Sequence, residues 1–353
     1  MKSWPSGMGH MGNNGIKKTE LDRTAMGRVF RRIGIDAIDS RDHSFSMTFH
    51  PNLEGLMRSI GHVGLLQPII VREKVREKSQ GTRYQVMSGF NRLTVCKQLG
   101  LKEIEAFSFR KSELGDLDGF QMALHENLTT RGLNLIEKSM VLHKLVHQFG
   151  LSRDSIVRDY MLMLGLQPNP IILEKISQLV ELDVRIRRYI VEKEVSLGNA
   201  TQFLEFAPED QAEIGKLVSE LKLGENTLKE VLALLREISL RDALTVKDLI
   251  RGEIEGIASN TTISKVQKTN RVRRRLREMR YPKLTELENA FREKRKGLRL
   301  SPGISLQPPP YFEGDRLKVE FRFGNVVEFK DIISKLMEAS ERKELGEMIE
   351  MAL

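Results

Sequence analysis

The chain has 353 residues, of which 40% are hydrophobic and 30% charged, a balance that suits folded cores in two or three domains. Its 57 lysines and arginines outnumber its 48 acidic residues, and the net charge of +9 favours a polyanionic partner, either nucleic acid or an anionic membrane surface. The single cysteine, Cys96, excludes an internal disulfide and a cysteine zinc cluster, and no apolar run approaches the roughly 20 residues of a membrane span.

The first third predicts an α+β domain over residues 28–115, behind a disordered leader at 1–27 that lacks the apolar core of a signal peptide. A polar stretch at 76–82 predicts a hairpin turn, and Gly100 is placed to end a helix. The expected strands lie at 29–38, 68–71, 84–87 and 104–107, and the expected helices at 53–63 and 92–99.

Residues 116–257 predict an all-α domain, because apolar residues recur at helical spacing and Gly or Pro stands at the joins. Ser152 is a good N-cap, and Asn169 before Pro170 is a strong helix start. The two helices that follow these caps predict a helix-turn-helix. The expected helices lie at 117–128, 135–148, 153–164, 170–180, 183–192, 196–206, 209–221, 225–237 and 245–257.

Residues 258–300 form a basic zone, and residues 301–353 predict a small α+β module that could serve dimerisation. The alternation at 317–323 predicts a half-buried strand, followed by helices at 326–339 and 342–353. The basic zone is either a second phosphate-binding stretch or a solvent-exposed linker or helix face. Its cations are Lys268, Arg271, Arg273, Arg274, Arg275, Arg277 and Arg280.

Three motifs occur in order between residues 64 and 137. The first is Gly64-Leu65-Leu66-Gln67-Pro68-Ile69, and the second is the strand–glycine–helix junction Ser88-Gly89-Phe90-Asn91-Arg92. A glycine at such a junction directs free N–H groups at an anion, and an arginine in the first helical turn adds a charged contact to phosphate. The third is Glu126-Asn127, followed by Leu133-Asn134-Leu135-Ile136-Glu137. The carboxylate of Glu126 and the amide oxygen of Asn127 suit a magnesium ion shared with phosphates.

The order and spacing of these motifs resemble the N-terminal domain of the ParB family of chromosome- and plasmid-partition proteins. The family patterns read roughly G-x-x-Q-P-I, G-E-R-R and E-N-x-Q-R with L-N-P-x-E, and the resemblance extends from about residue 29 to about residue 235. It implies a domain that binds CTP with Mg²⁺ and acts as the switch of a DNA-sliding clamp. The implied nucleotide contacts are Gly64, Gln67, Gly89 and Arg92, and the implied metal ligands are Glu126 and Asn127.

The sequence departs from the family at charged positions. Phe90 and Asn91 stand where the family has Glu-Arg, and Thr129 and Thr130 stand where it has Gln-Arg. Losing one bidentate phosphate contact costs about 1.5–3 kcal/mol, so we expect a weak or silent nucleotide site. Sulfiredoxin shares the fold, but its nucleophile position is Phe90 here, and Cys96 lies on the expected packed face of the next helix. We therefore reject that enzyme and expect no catalytic residue.

The second helix of the helix-turn-helix is the expected recognition helix. Its predicted base-contacting residues are polar, and nearby arginines are expected to contact the DNA backbone. The predicted base-contacting residues are Asn169, Lys175, Ser177 and Gln178, and the backbone-contacting arginines are Arg153, Arg158, Arg185, Arg187 and Arg188.

The sequence thus predicts a cytoplasmic, nucleoid-associated DNA-binding protein of partition type that acts as a homodimer on double-stranded DNA with a ParA-like ATPase. Two alternatives remain open. One is a transcription or nucleoid-occlusion regulator with a silent nucleotide site. The other is an enzyme, either a weak CTP hydrolase or a ParB-like nuclease, although no acidic cluster for two-metal chemistry is visible.

Overall fold

The computed structural model describes residues 28–74 and 82–351. The predicted leader at 1–27 and nearly all of the predicted hairpin turn at 76–82 lie outside these ranges. The chain divides into two compact units between Glu181 and Leu182. This division falls inside the predicted all-α domain, and the finer boundaries at 28–115, 116–257, 258–300 and 301–353 remain predictions. No helix in the described ranges is long and apolar enough to cross a membrane.

The first unit contains a mixed sheet of five strands in its described part, with the order β1-β5-β3-β4-β2. The β1–β5 and β3–β4 pairs are antiparallel, whereas β3–β5 and β2–β4 are parallel. Two helices pack against the sheet and bury Ile60 and Val95 with the strand residues. The elements are β1 Val29–Gly34, β2 Ile38–Asp39, α1 Glu54–Val63, β3 Ile69–Glu73, β4 Tyr84–Ser88, α2 Phe90–Gln98 and β5 Glu103–Phe109.

Four helices complete the described part of the first unit, and α4 packs against both α5 and α6. The helix predicted at 153–164 ends early, at Asp159, because the backbone N–H of Met161 bonds to the carbonyl of Ile156 and the chain turns before Gly165. The predicted caps are present, with Ser152 and Asn169 accepting backbone N–H groups. The elements are α3 Asp116–Thr130, α4 Leu135–His147, α5 Arg153–Asp159 and α6 Pro170–Gln178.

The second unit begins with helices. The predicted helix at 196–206 is a short α-helix followed by a 3-10 turn, and the one at 245–257 contains a π-helical turn, Ile250–Ile254. The elements are α7 Val184–Glu192, α8 Leu197–Ala200, α9 Pro208–Glu220, α10 Glu225–Asp242, α11 Val246–Leu249, α12 Glu255–Ala258, α13 Lys265–Arg280 and α14 Pro282–Gly297.

The end of the second unit is a hairpin with two helices, β6 Ile304–Gln307, β7 Lys318–Phe321, α15 Val326–Ser340 and α16 Lys343–Glu350. Phe291 of α14 packs into the core of this module beside Leu306 and Met348. The predicted strand at 317–323 is present as β7, but its burial is uneven: Leu317 packs against this core, whereas Val319 is 46% exposed and Phe323 55% exposed. Leu306, which pairs with Val319 across the hairpin, is only 4% exposed, so the core covers β6 more completely than β7.

A buried arginine connects the sheet to α3. The Arg72 guanidinium donates to the Gln85 side chain at 2.7 Å, to the Leu114 carbonyl at 2.9 Å and to Asp116 at 2.6 Å. It also lies 5.3 Å from the centre of the Phe45 ring. Because its side chain is only 5% exposed, these partners replace the water that the charge loses on folding.

Replacing this arginine tests that connection. We expect Arg72→Met to lower the free energy of unfolding by about 1.5–3 kcal/mol, since charged hydrogen bonds are lost from a buried site. The matched control is Arg32→Met, on strand β1 of the same sheet, whose side chain is 70% exposed and pairs with Glu105 at 3.4 Å. The control should change stability by less than about 0.5 kcal/mol. Equal losses in urea titrations of the two variants would contradict this assignment.

Candidate nucleotide and DNA sites

The junction between β4 and α2 is built on Gly89. Its φ of +96° is left-handed, and an added Cβ would lie 2.7 Å from Cγ2 of Ile69. Only glycine fits both the dihedral and the space. No side chain caps the helix that follows, so the N–H groups of its first turn are available to an anion, as the sequence predicts.

Arg92 and Glu126 meet beside this junction. The guanidinium donates to the Glu126 carboxylate at 2.5 Å and to the Pro68 and Gln67 carbonyls at 2.9 and 3.2 Å. The hydroxyl of Ser88, the last residue of β4, donates to the other oxygen of the same carboxylate. The two charged side chains are 14% and 23% exposed, so the pair is partly shielded from water. Residues from all three sequence motifs therefore converge here.

Two of the predicted contacts are arranged differently from the expectation. Gln67 takes part through its backbone carbonyl, while its side chain is exposed. Gly64 ends α1 with a φ of +77° and lies on a separate pocket of about 370 Å³, together with Arg32 and Glu105. Ser88 and Pro68 were not predicted; a hydroxyl immediately before Gly89 was the available signal for Ser88.

Asn127 points into a different network from Glu126. Its amide nitrogen donates to the Ala123 carbonyl at 2.8 Å, and its oxygen accepts from Arg131 at 2.9 Å. Arg131 in turn binds Glu137 at 2.8 Å, which forms the capping box at the start of α4 with Asn134. The predicted pair of metal ligands is thus split. Within the described ranges, no group of three or more His, Cys, Asp or Glu side chains is placed to hold a metal.

The departures from the family pattern have visible consequences. Phe90 packs on the core, and its ring stacks on His43 with centroids 5.9 Å apart. The hydroxyls of Thr129 and Thr130 donate to backbone carbonyls one turn earlier in α3. These three side chains therefore serve packing or the helix backbone.

Cys96 is fully buried in the sheet–helix core. Burial raises the pKa of its thiol, so the thiol stays protonated at neutral pH. The prediction that it packs as a small hydrophobe is confirmed.

The predicted DNA-contacting residues of the first unit differ in availability. Asn169 uses its side-chain oxygen to cap α6, at 2.8 Å from the Ile171 nitrogen, and Ser177 donates to the Glu174 carbonyl. Lys175 and Gln178 are exposed on α6. Two arginines of α5 are engaged in exposed ion pairs, Arg153 with Glu174 at 3.3 Å and Arg158 with Asp159 at 2.8 Å.

The remaining predicted arginines belong to the second unit. Arg185 and Arg188 are exposed on α7, whose Ile186 and Tyr189 are buried, whereas Arg187 is partly buried. Burial lowers the pKa of Arg187, and its partly buried side chain is less accessible to a DNA phosphate than those of Arg185 and Arg188.

The basic zone is a packed helix and not a linker, because α13 buries Val272 and Leu276. Most of its cations are neutralised by acids far away in sequence. Arg271 and Arg274 are exposed, and no ion pair is assigned to either within the described part of the chain. The pairs are Lys268 with Glu220, Arg273 with Glu230, Arg275 with Glu253, Arg277 with Glu288 and Arg280 with Glu237.

Known proteins resemble between about half and two thirds of the chain. A probable chromosome-partitioning protein ParB of Vibrio cholerae is 26% identical over 222 residues, 63% of this chain and 70% of that protein. A nucleoid occlusion protein of Halalkalibacterium halodurans is 28% identical over 187 residues, 51% of this chain and 60% of that protein. A C-terminally truncated ParB from Caulobacter crescentus, solved with CTP-gamma-S, is 24% identical and covers 51% of this chain and 94% of its own, with a TM-score of 0.25.

Residues 18–128 match the family model of the ParB N-terminal domain. That segment is similar to the ParB N-terminal domain, and in this chain its described part forms a mixed sheet with surrounding helices. The aligned regions cover 70% and 60% of the length of the two curated relatives, so their remaining parts have no aligned counterpart here.

Two glycine variants test the junction. Both Gly89 and Gly100 have positive φ, but an added Cβ at Gly100 meets nothing within 4 Å. We expect Gly100→Ala to cost about 1–2 kcal/mol for the left-handed residue alone. Gly89→Ala should cost about 1–3 kcal/mol more, since it also presses on Ile69. Equal midpoints in chemical denaturation would mean that the junction tolerates a side chain.

Proposed function

We propose that this protein is a DNA-binding partition protein of the ParB type, whose nucleotide site binds CTP by opening the Arg92–Glu126 ion pair. The observation that carries the proposal is this pair, at 2.5 Å, beside the uncapped start of α2. The relatives named ParB and the CTP-type motifs support it. An arginine in the first turn of an open helix suits a phosphate, which accepts two parallel hydrogen bonds from guanidinium.

In this proposal the phosphates compete with Glu126 for Arg92. The released carboxylate is then a fitting ligand for Mg²⁺, which proteins hold through one or two carboxylates together with substrate phosphates and water. Asn127 could join only after its oxygen leaves Arg131. Breaking an internal ion pair costs part of the binding energy, so we propose weak CTP binding, and the altered positions Phe90 and Asn91 weaken it further.

Calorimetric titration with CTP tests the nucleotide site. We expect binding that needs Mg²⁺, is weaker for ATP, GTP and UTP, and is lowered about 10- to 100-fold by Arg92→Ala, the loss of a charged hydrogen bond. The control is Arg110→Ala, whose side chain is 73% exposed just after β5. Circular dichroism of both variants separates lost binding from lost fold. Undiminished CTP binding by Arg92→Ala would place the nucleotide elsewhere, and release of phosphate from CTP would support the hydrolase alternative.

For DNA, we propose that α6 enters the major groove. Lys175 and Gln178 are its exposed donors, and these residue types suit guanine and adenine respectively. Arg185 and Arg188, exposed on α7, would contact phosphates and add affinity without sequence. The net charge of +9 supports a polyanionic partner.

Band-shift titrations separate the two kinds of contact. We expect Lys175→Ala and Gln178→Ala each to reduce discrimination at one base pair by about 1–3 kcal/mol. Arg188→Ala should weaken binding to all duplexes alike and lower the salt slope by roughly 0.9. Lys111→Ala, an exposed lysine in a turn of the first unit, is the control and should leave both quantities unchanged. A sequence preference that survives both α6 variants would remove α6 from the groove.

A second candidate function is nucleoid occlusion, because the Halalkalibacterium halodurans relative carries that name. Chromatin immunoprecipitation with sequencing distinguishes it from partition. A few sites with broad flanks support a partition clamp, whereas many scattered sites support nucleoid occlusion. Sharp peaks at promoters support a transcription regulator.

The remaining parts of the proposal concern partners and location. We propose a homodimer that acts in the nucleoid with a ParA-like ATPase, following the relatives named ParB. The exposed apolar residues Phe323, Val326 and Val327 at the end of the second unit are candidates for the dimer contact, since large exposed apolar side chains favour an interface.

A further inference from the structure

The exposed face of α6 is a single row of four side chains, Ile171, Glu174, Lys175 and Gln178. Positions separated by three, four and seven residues lie on one side of an α-helix. All four are exposed, whereas Leu173 and Ile176 on the opposite side are buried. We call these four residues the outer row of α6. It is the surface that a DNA groove would meet under the function proposed above.

Ile171 is the one apolar member of the outer row, and it is 66% exposed. It lies in the first turn of α6, where its backbone N–H bonds to the Asn169 side chain at 2.8 Å. The cap fixes this turn, so the side chain is held in a defined place at the start of the helix. Its neighbour Glu174 is held by Arg153 at 3.3 Å.

The chemistry of the outer row points to a small apolar partner. A protein interface buries about 800 Å² on each side around an apolar centre, and an isoleucine next to Glu174 and Lys175 offers much less than that. In the major groove, thymine alone among the bases presents a methyl group, and an apolar side chain is its usual contact. The first residues of a recognition helix are those that reach base edges.

We propose that Ile171 reads a thymine through its C5-methyl group. The inference rests on the proposed DNA-binding function and adds a specificity-determining residue to it. It also divides the outer row by chemistry, with Ile171 contacting a methyl group and Lys175 and Gln178 making hydrogen bonds.

The test begins with selection of binding sites from a random duplex library by the wild-type protein. Each thymine of the selected site is then replaced in turn by deoxyuridine, which removes only the methyl group. We expect one replacement to weaken wild-type binding about fourfold, the value of one buried methylene-sized group. Ile171→Ala should lose about the same factor on the thymine duplex and nothing further on the deoxyuridine duplex.

The control variant is Leu162→Ala, since Leu162 is exposed to nearly the same degree, 67%, but lies in the turn after α5. It should retain the wild-type preference for thymine. If the protein selects a site but binds every deoxyuridine duplex as well as the thymine one, or if Ile171→Ala keeps the preference, the role of Ile171 is overturned while DNA binding stands. If no sequence is enriched, sequence-specific DNA binding fails and this inference fails with it.

Discussion

The backbone at Gly89 sets the geometry on which the candidate nucleotide site depends. Its left-handed φ of +96° turns the chain directly from β4 into α2 while the residue touches Ile69 of the neighbouring strand. The turn places Arg92 within reach of the carbonyls that precede β3 and of Glu126 on α3. One residue without a side chain therefore brings a strand end, a helix start and a second helix to the same point.

Much of this arrangement follows from local sequence signals. The strand–glycine–helix pattern located the junction, and the order of three motifs brought Arg92 and Glu126 together before any contact was known. The caps Ser152 and Asn169 were equally visible, because an N-cap acts on the N–H groups two or three residues ahead. Signals of this kind need no knowledge of distant segments.

Other features of the site depend on residues that are distant in sequence. Asn127 is adjacent to Glu126, but its direction depends on Arg131. The sequence left the arginines of α13 open between a phosphate-binding stretch and a linker or charged helix face, and acids such as Glu230, 43 residues away, lie beside them. The alternation around Val319 predicts which side chains share a face of β7, but it does not predict how much of that face another layer covers. Long-range pairing and layer coverage are tertiary facts that local spacing does not encode.

The burial of Cys96 has a practical consequence for studying the protein in motion. Thiol reagents attack the thiolate, and the only thiol of the chain is both enclosed and held protonated at neutral pH. A cysteine introduced at an exposed position would accordingly take up a maleimide dye or a spin label selectively. Distance measurements by fluorescence or electron resonance can therefore follow each unit with the natural residue left in place.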